Sequence, residues 1–114
     1  MSSRSGRQEA VRDFKRAAIV DAARQVFAEK GLDGASMRGI AAAAGYTAAA
    51  IYFYFDSKEA LYGEIVAASL SELSRAVRRA VADADGGAAR VRAGPRAFHD
   101  FYRDNPVDLE LSLY

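Results

Sequence analysis

The first third of the chain carries apolar residues at helical spacing. Between about Glu9 and Lys30 they recur every three or four positions, with basic residues between them, which is the pattern of a helix with one buried face. The members of this stripe are Phe14, Ala18, Ile19, Ala22, Ala23, Val26 and Phe27. Gly31 follows Lys30 and can cap a helix in the left-handed conformation. The pattern therefore predicts a first helix over residues 9–30.

Two shorter helical patterns follow close together. Ser36 stands where a second helix needs an N-cap, and Gly45 ends that helix. Its apolar stripe consists of Met37, Ile40, Ala41 and Ala44. Thr47 can cap a third helix that starts at Ala48 and ends at residue 53 or 54. Because only a tight turn fits between the two, residues 36–54 have the sequence form of a helix-turn-helix.

A long fourth helix is predicted after this motif. Asp56 or Ser57 can cap it, and Glu59 in its first turn suits the helix dipole. Its apolar stripe comprises Leu61, Ile65, Val66, Leu70, Leu73, Val77 and Val81. The stripe keeps helical spacing for several turns, and the helix is predicted to end near Asp85.

Two further helices complete the prediction. A fifth, over residues 88–104, must be kinked or restarted at Gly94-Pro95, because proline cannot donate to the helix ladder. A sixth begins at Pro106 or Val107 and continues to Tyr114. The fold class is therefore all-α: a three-helix helix-turn-helix domain, a long fourth helix, and the beginning of a further helical domain.

Composition and charge narrow the class of protein. With 114 residues, 51% of them hydrophobic, the chain suffices for one ordinary globular domain. The absence of cysteine excludes disulfides, Cys-ligated zinc and thiol nucleophiles. No apolar run approaches the ~20 residues of a membrane span, and the first residues lack the apolar core of a secretory signal. We therefore expect a cytoplasmic protein in which residues 1–8 form a flexible basic tail.

Basic residues are concentrated in the first half of the chain, although the net charge is only +1. Residues 1–58 contain nine Lys or Arg and six Asp or Glu, whereas residues 59–114 contain seven and nine. This surplus favours nucleic-acid binding only weakly, because solvated helices of many proteins carry similar charge.

The segment from Ile19 to Tyr62 resembles the amino-terminal domain of TetR-type (tetracycline-repressor-like) regulators. The elements that carry the resemblance are Ala22-Ala23, Phe27, Gly31, Ile40-Ala41, Ala44-Gly45, Tyr52-x-Tyr54-Phe55 and Ser57-Lys58-Glu59-x-Leu61. The resemblance implies a DNA-binding domain over residues 9–56. Residues 57–114 would then form the linking helix and the start of an effector-binding and dimerisation domain. The function implied is that of an effector-responsive repressor that binds a palindromic double-stranded DNA operator as a homodimer.

Small side chains at the start of the third helix suit a role in reading DNA. A helix of under two turns can enter the ~12 Å major groove only if its base-facing residues allow close approach. Ala48, Ala49 and Ala50 allow it, but their methyl groups donate no hydrogen bond. Arg38, on the second helix, is therefore the candidate for a bidentate contact with guanine, the alternative being an ordinary solvated charge.

The resemblance also implies contacts with DNA phosphates. The positions of Tyr52 and Tyr54 contact the backbone, Lys58 meets a phosphate at the start of the fourth helix, and Thr47 and Ser36 match hydroxyl positions that do likewise. Phenols, hydroxyls and an ammonium can all donate to phosphate. The alternative for the two tyrosines is burial in the core, where each phenol would need a hydrogen-bond partner.

The aromatic residues beside these tyrosines are predicted to be structural. Phe53 and Phe55 are expected in the core, and Tyr46 is expected to pack in the turn that precedes the third helix.

An effector cavity formed by the fourth and later helices is also implied by the resemblance, with an unknown small molecule as effector. The candidates for one wall of it are Tyr62, Val66, Ser69, Leu73, Phe98, Tyr102 and Leu111. All of these could equally be ordinary core residues, an alternative that is favoured for the aliphatic ones. Pairing in this family uses its last two helices, before which the chain ends. We therefore expect residues 1–114 alone to be monomeric and to expose apolar surface around Leu109, Leu111 and Tyr114.

No motif indicates an enzyme, a cofactor or a metal. The chain has one histidine, His99, and Asp100, Asp104 and Asp108 are predicted to be solvated charges. A catalytic triad, a P-loop and a pair of catalytic carboxylates are all missing from the sequence. The alternative function is that of a small helical protein-interaction module, which would use the apolar stripe of the fourth helix to bind a partner helix.

Overall fold

The computed structural model describes residues 3–113, with side chains from residue 5 onward. Within this range the protein consists of six helices and contains no strand, which confirms the all-α prediction. The helices are α1 (Ser3–Gly34), α2 (Met37–Ala44), α3 (Ala48–Tyr54), α4 (Lys58–Asp83), α5 (Gly87–Asp104) and α6 (Pro106–Ser112). The chain divides into two compact units, one up to Gly63 and the other from Glu64 onward. The division falls inside α4, after the predicted boundary at residues 56 and 57.

The core of the first unit lies where α1, α2 and α3 meet the first turns of α4. Its fully buried large side chains are Phe27, Ile19, Ile40, Ile51 and Leu61. The ring of Phe27 packs edge-on against Tyr62, with 5.1 Å between the ring centroids. Arg16 of α1 lies 4.8 Å from the centroid of Phe55, a cation–π arrangement that joins α1 to the end of α3. These contacts join α1 to the first turns of α4 and to the end of α3.

Helix α1 is longer than the sequence pattern predicted. It starts at Ser3, so the described part of the predicted tail is helical; Met1 and Ser2 lie outside the described residues. The first half of α1 is exposed, and Phe14, expected on the buried face, is 73% exposed. The buried face starts instead at Ile19, because only the turns of α1 from Ile19 onward contribute side chains to the core. Near its other end α1 is interrupted at Gly31, where φ is 72°.

The second unit contains most of α4 with α5 and α6. Helix α4 ends at Asp83, close to the predicted end. Helix α5 continues through Pro95 as one element, so of the two predicted alternatives, a kink or a restart, the restart is absent. Proline removes one ladder hydrogen bond without ending the helix. Helix α6 ends at Ser112 rather than at Tyr114, which lies outside the described residues. Leu111, predicted to be exposed, is only 1% exposed because it faces the core of this unit.

One carboxylate of the second unit contradicts the prediction of solvated charge. Asp108 is only 2% exposed and accepts a hydrogen bond of 2.6 Å from the hydroxyl of Ser69. Its position in the first turn of α6 places the carboxylate at the favourable end of the helix dipole. Asp104, in contrast, is exposed, and a hydrogen bond from Arg103 lowers its pKa. Asp108 therefore joins α4 to α6, a role that helical spacing alone does not reveal.

Candidate nucleic-acid interface

Helices α2 and α3 form a helix-turn-helix whose ends are capped as the sequence predicts. The hydroxyl of Ser36 accepts from the backbone N–H of Gly39 at 3.0 Å, and that of Thr47 accepts from Ala50 at 3.2 Å. Gly45 closes α2 with φ of 81°, a left-handed conformation in which a Cβ would be strained. The two N-caps and the left-handed glycine therefore define the motif locally, and residues 45–47 form the turn between α2 and α3.

The face of α3 that points to solvent begins with small side chains. Ala49 is exposed, whereas Ala48 and Ala50 are half-buried. Ile51 is fully buried and fixes the opposite face of α3 against the core. The N-terminal turn of α3 therefore offers a surface on which the backbone can approach a large partner closely.

Aromatic side chains form the second turn of this helix. Tyr52 is 54% exposed and Tyr54 is half-buried, so neither phenol is enclosed in the core. Phe55 is buried as predicted, but Phe53 is 73% exposed, which corrects the expectation that it belongs to the core. The reason is geometric: Ile51 and Phe55, four residues apart, define the buried face, and Phe53 lies between them on the opposite side.

The two capping hydroxyls retain a hydrogen-bonding group for a ligand. Each hydroxyl has one donor and two acceptor sites, and capping uses only an acceptor site. Ser36 and Thr47 are both exposed, so their O–H hydrogens can still be donated to an acceptor in solvent. A phosphate oxygen is such an acceptor, and it lies favourably near a helix N-terminus.

Arg38 lies in the first turn of α2 with its side chain exposed. Within the part of the chain that the structure describes, its guanidinium makes no hydrogen bond or ion pair with another residue. The five donors of the guanidinium are therefore available to a planar acceptor such as the major-groove edge of guanine.

The ammonium of Lys58, for which the resemblance implied a phosphate contact, donates hydrogen bonds within the protein. Its ammonium donates to the backbone carbonyls of Leu32 at 2.8 Å and Ala35 at 3.0 Å, with Asp33 at 3.5 Å. A phosphate contact by Lys58 stays a prediction, and it competes with these three bonds.

An open groove beside α3 brings in a residue that the sequence pattern did not indicate. Its lining consists of Lys15, Tyr46, Ala49, Ala50, Phe53 and Tyr54. Lys15 comes from the exposed face of α1, more than thirty positions before α3 in the chain, so no local spacing relates the two. Tyr46 is half-buried and borders this groove in addition to forming the turn. The groove combines one cation with apolar and phenolic surface.

The residues predicted to line an effector cavity do not all come together. Four of them border a small cleft in the second unit, together with Leu70, Asp108 and Ser112; these four are Val66, Ser69, Tyr102 and Leu111. Leu73 is buried, and Phe98 is half-exposed with its ring against Tyr102. Tyr62 belongs to the first unit, where it contacts Phe27. Leu70, Asp108 and Ser112 are the residues of this cleft that the sequence prediction did not include.

Metal ligation and membrane insertion find no support in the described residues. Residues 3–113 hold no group of three or more His, Cys, Asp or Glu that could bind a metal ion. In the same range no helix is both long and apolar enough to cross a membrane. His99 is exposed, with its ring 3.6 Å from the carboxylate of Asp100.

Comparison with known proteins identifies the family to which these features belong. Residues 19–65 match the sequence model of the family described as "Bacterial regulatory proteins, tetR family". The chain is 37% identical over 79 residues to the HTH-type transcriptional repressor KstR2 of Rhodococcus jostii, a match that covers 69% of this chain and 39% of the relative. It is 34% identical over 90 residues to the HTH-type transcriptional activator FasR of Mycolicibacterium smegmatis, covering 79% of this chain and 41% of the relative.

A solved structure supports the same assignment. The putative transcriptional regulator SCO4942 of Streptomyces coelicolor superimposes with a TM-score of 0.74 and 29% identity, covering 87% of this chain and 51% of that protein. The chain thus spans about two fifths of the length of the two curated relatives. These relatives are named as transcriptional regulators, in agreement with the prediction that the chain is not an enzyme. On the matched motif and the shared fold, residues 19–65 of this chain form the domain that defines the TetR family of bacterial regulatory proteins.

Proposed function

We propose that the chain is a sequence-specific DNA-binding regulator of transcription that inserts α3 into the major groove. The observation that carries the proposal is the exposed, capped N-terminus of α3, with Ala49 at its surface and Ile51 fixing the opposite face. A short helix approaches base edges closely only when its leading residues are small.

Base readout in this proposal depends on Arg38 rather than on the alanines. The methyl groups of Ala48, Ala49 and Ala50 can contact a thymine methyl, but they cannot donate to a base. Arg38 is exposed and its guanidinium can make two parallel hydrogen bonds to one guanine. Discrimination at one base pair of each half-site is therefore assigned to Arg38.

Phosphate contacts would hold the helix in register. Ser36 and Thr47 keep a donor hydrogen after capping, and Tyr52 and Tyr54 keep their phenols outside the core. Such contacts fix orientation without reading sequence. Lys15 of α1, at the edge of the groove beside α3, adds a cation to this set.

The finer proposal is an effector-responsive repressor that binds a palindromic operator as a homodimer. One unit presents few base contacts, so tight and specific binding needs two copies on adjacent half-sites. The effector would bind in the second unit, where the buried pair of Ser69 and Asp108 lines a largely apolar cleft. This cleft must widen to admit the effector, because its volume of about 10 Å³ accommodates only a water molecule. Repression is proposed because KstR2 is named a repressor, whereas FasR, named an activator, shows that the family includes both signs of control.

The apolar stripe of α4, which the alternative protein-interaction function would use, is largely buried within the chain. A docking module would need the apolar stripe of α4 to be available to a partner. Leu61, Ile65 and Leu73 of that stripe are already buried within the chain. Leu70 is the large member of the stripe that remains half-exposed.

Replacement of Ala49 by leucine tests the proposal. A duplex that binds the protein is first recovered from a random-sequence library, and its affinity is measured over a range of salt concentrations. Ala49→Leu should lower that affinity at least ~100-fold, because the larger side chain separates α3 from the bases and loses contacts of ~1–3 kcal/mol each. Ala68→Leu, at an exposed helical alanine outside the motif, is the matched control and should bind normally.

Two results would contradict the proposal. Failure to recover any preferred duplex would remove sequence-specific DNA binding. Full affinity of a folded Ala49→Leu variant would show that this face of α3 does not enter the groove. Circular dichroism verifies that both variants are folded, and a steep fall of affinity with salt identifies phosphate contacts.

A further inference from the structure

The side chain of Lys58 connects the start of α4 with the end of α1. An ammonium has three donor hydrogens, and the carbonyls of Leu32, Asp33 and Ala35 lie 2.8, 3.5 and 3.0 Å from Nζ. These acceptors can use the whole hydrogen-bonding capacity of the group. Because Lys58 is half-buried and its bonds to Leu32 and Ala35 are partly buried, they are less exposed to competition from water than a surface ion pair.

The carbonyls that Lys58 contacts belong to a helix end that needs such a partner. Gly31, with φ of 72° and ψ of 173°, interrupts α1, and the chain makes one more helical turn before α2. The last carbonyls of a helix have no donor within the helix, and they carry the negative end of its dipole. A cation at this point satisfies both requirements.

The position of Ala35 gives the contact a consequence for α2. Ala35 is buried and immediately precedes Ser36, the N-cap from which α2 starts. Its N–H bonds back to the carbonyl of Gly31 at 3.2 Å, while its own carbonyl is held by Lys58. Both backbone polar groups of Ala35, the residue before the N-cap of α2, are therefore fixed, and they constrain the direction in which the chain enters α2.

We infer that Lys58 is a positioning residue for DNA recognition: it ties α4 to the α1–α2 connection and thereby sets how α2 presents Arg38 to the bases. The inference rests on the proposed DNA-binding function. It differs from the role implied by the family resemblance, in which Lys58 contacts a phosphate. The two roles predict different salt dependence for a variant without the ammonium. Loss of a phosphate contact makes the fall of log affinity with log salt less steep by about one unit, whereas loss of a positioning contact leaves the steepness unchanged.

The test compares Lys58→Met with Lys30→Met on the duplex recovered from the random library. Methionine keeps the length and apolar stem of lysine but removes the charge and the donors. Lys30 is exposed in the last regular turn of α1. Its replacement therefore removes the same charge but leaves the hydrogen bonds between Lys58 and the three carbonyls in place. We expect Lys58→Met to weaken binding about tenfold at every salt concentration, the scale of a lost hydrogen bond to a charged group. The salt slope should stay at the wild-type value, and Lys30→Met should change the affinity less than about twofold.

A slope reduced by one unit in Lys58→Met would assign Lys58 to a phosphate and overturn the inference. Unchanged affinity in a folded Lys58→Met protein would overturn it as well, because the contact would then support stability alone. Lys58→Arg, which can still donate to the carbonyls, should recover most of the affinity.

A measurement on the wild-type protein keeps the inference testable even if Lys58→Met does not fold. The ammonium hydrogens of Lys58 and the carbonyl carbons of Leu32 and Ala35 are followed by NMR, first without DNA and then with the duplex. We expect slowly exchanging ammonium hydrogens in the free protein and unchanged carbonyl shifts in the complex. Loss of these signals on DNA binding would show that Lys58 leaves the carbonyls for the phosphate backbone. The free-protein spectrum reports the contact even if no duplex binds, so the failure of the two proposals can be told apart.

Discussion

Thr47 is predicted to serve two purposes that substitution can separate. Its hydroxyl oxygen caps α3 by accepting from the N–H of Ala50 at 3.2 Å, and its hydrogen is left to donate to a phosphate. Helix α3 has only seven residues, far fewer than the ~12–15 at which an isolated helix becomes even marginally stable. The cap is therefore a substantial part of what defines the recognition helix.

The magnitude of the stability effect follows from the geometry. The bond is long for an N–H···O contact and exposed, so removing it in Thr47→Ala should cost about 0.5–1 kcal/mol, the lower part of the range for N-caps. In a domain of this size that corresponds to a fall in melting temperature of about 2–5 °C. Thr47→Asp restores an acceptor and adds a charge that the helix dipole favours. Its melting temperature should equal or exceed that of the wild type.

DNA binding should respond in the opposite way to the aspartate. A carboxylate cannot donate to a phosphate, and two like charges about 4 Å apart repel by ~1–4 kcal/mol between bulk water and a protein surface. Thr47→Asp should therefore bind the selected duplex about tenfold or more weakly while remaining fully folded. Thr47→Ser, which keeps both the acceptor and the donor, is the control and should match the wild type.

Thermal unfolding by circular dichroism and fluorescence anisotropy of a dye-labelled duplex measure the two effects separately. Wild-type affinity in Thr47→Asp would refute the reasoning, because it would mean that the hydroxyl does not face the DNA backbone. A melting temperature of Thr47→Asp as low as that of Thr47→Ala would refute the capping part.

Two other predictions concern how the protein recognises a DNA sequence. Arg38→Ala should cost ~1–3 kcal/mol on the selected duplex and remove the preference at one base pair; a loss that is the same for all duplexes would show instead that Arg38 contacts the backbone. If two copies bind together as proposed, a palindrome whose half-sites are one helical turn apart should bind ~10²–10⁴-fold more tightly than a single half-site. Insertion of half a turn between the half-sites should abolish that gain, and indifference to the insertion would rule out cooperative pairing.

The helix-turn-helix could be predicted from the sequence because its determinants are local. Ser36, Gly45 and Thr47 act on groups within a few residues of themselves, and the structure confirms all three. The all-α fold could be predicted for the same reason, since helical spacing of apolar residues reports directly on the face that each helix buries.

The remaining features depend on residues that are distant in the chain. The phosphate contact of Lys58 is implied by the family resemblance and stays a prediction, but nothing in the sequence around Lys58 indicates that the carbonyls of Leu32 and Ala35 lie beside it. Asp108 was interpreted as solvated because its partner, Ser69, is on another helix. Phe53 was assigned to the core because it is aromatic, although its position between Ile51 and Phe55 places it on the opposite face of α3. Tertiary contacts, which the sequence pattern does not contain, place the ammonium of Lys58 and the carboxylate of Asp108. The exposure of Phe53 instead follows from helical spacing, which the prediction gave less weight than its aromatic character.

The exposed alanine at the tip of α3 has a consequence for how this regulator can diverge. Ala49 has no part in the core. If α3 enters the major groove as proposed, a different side chain there changes what the helix contacts in DNA without changing what holds the domain together. Loss of the present operator and retention of the fold are then independent outcomes of one substitution. A gene duplicate could acquire a new target through changes at this position and at Arg38 alone, with no compensating change in the interior, so operator preference is free to evolve faster than the scaffold that displays it.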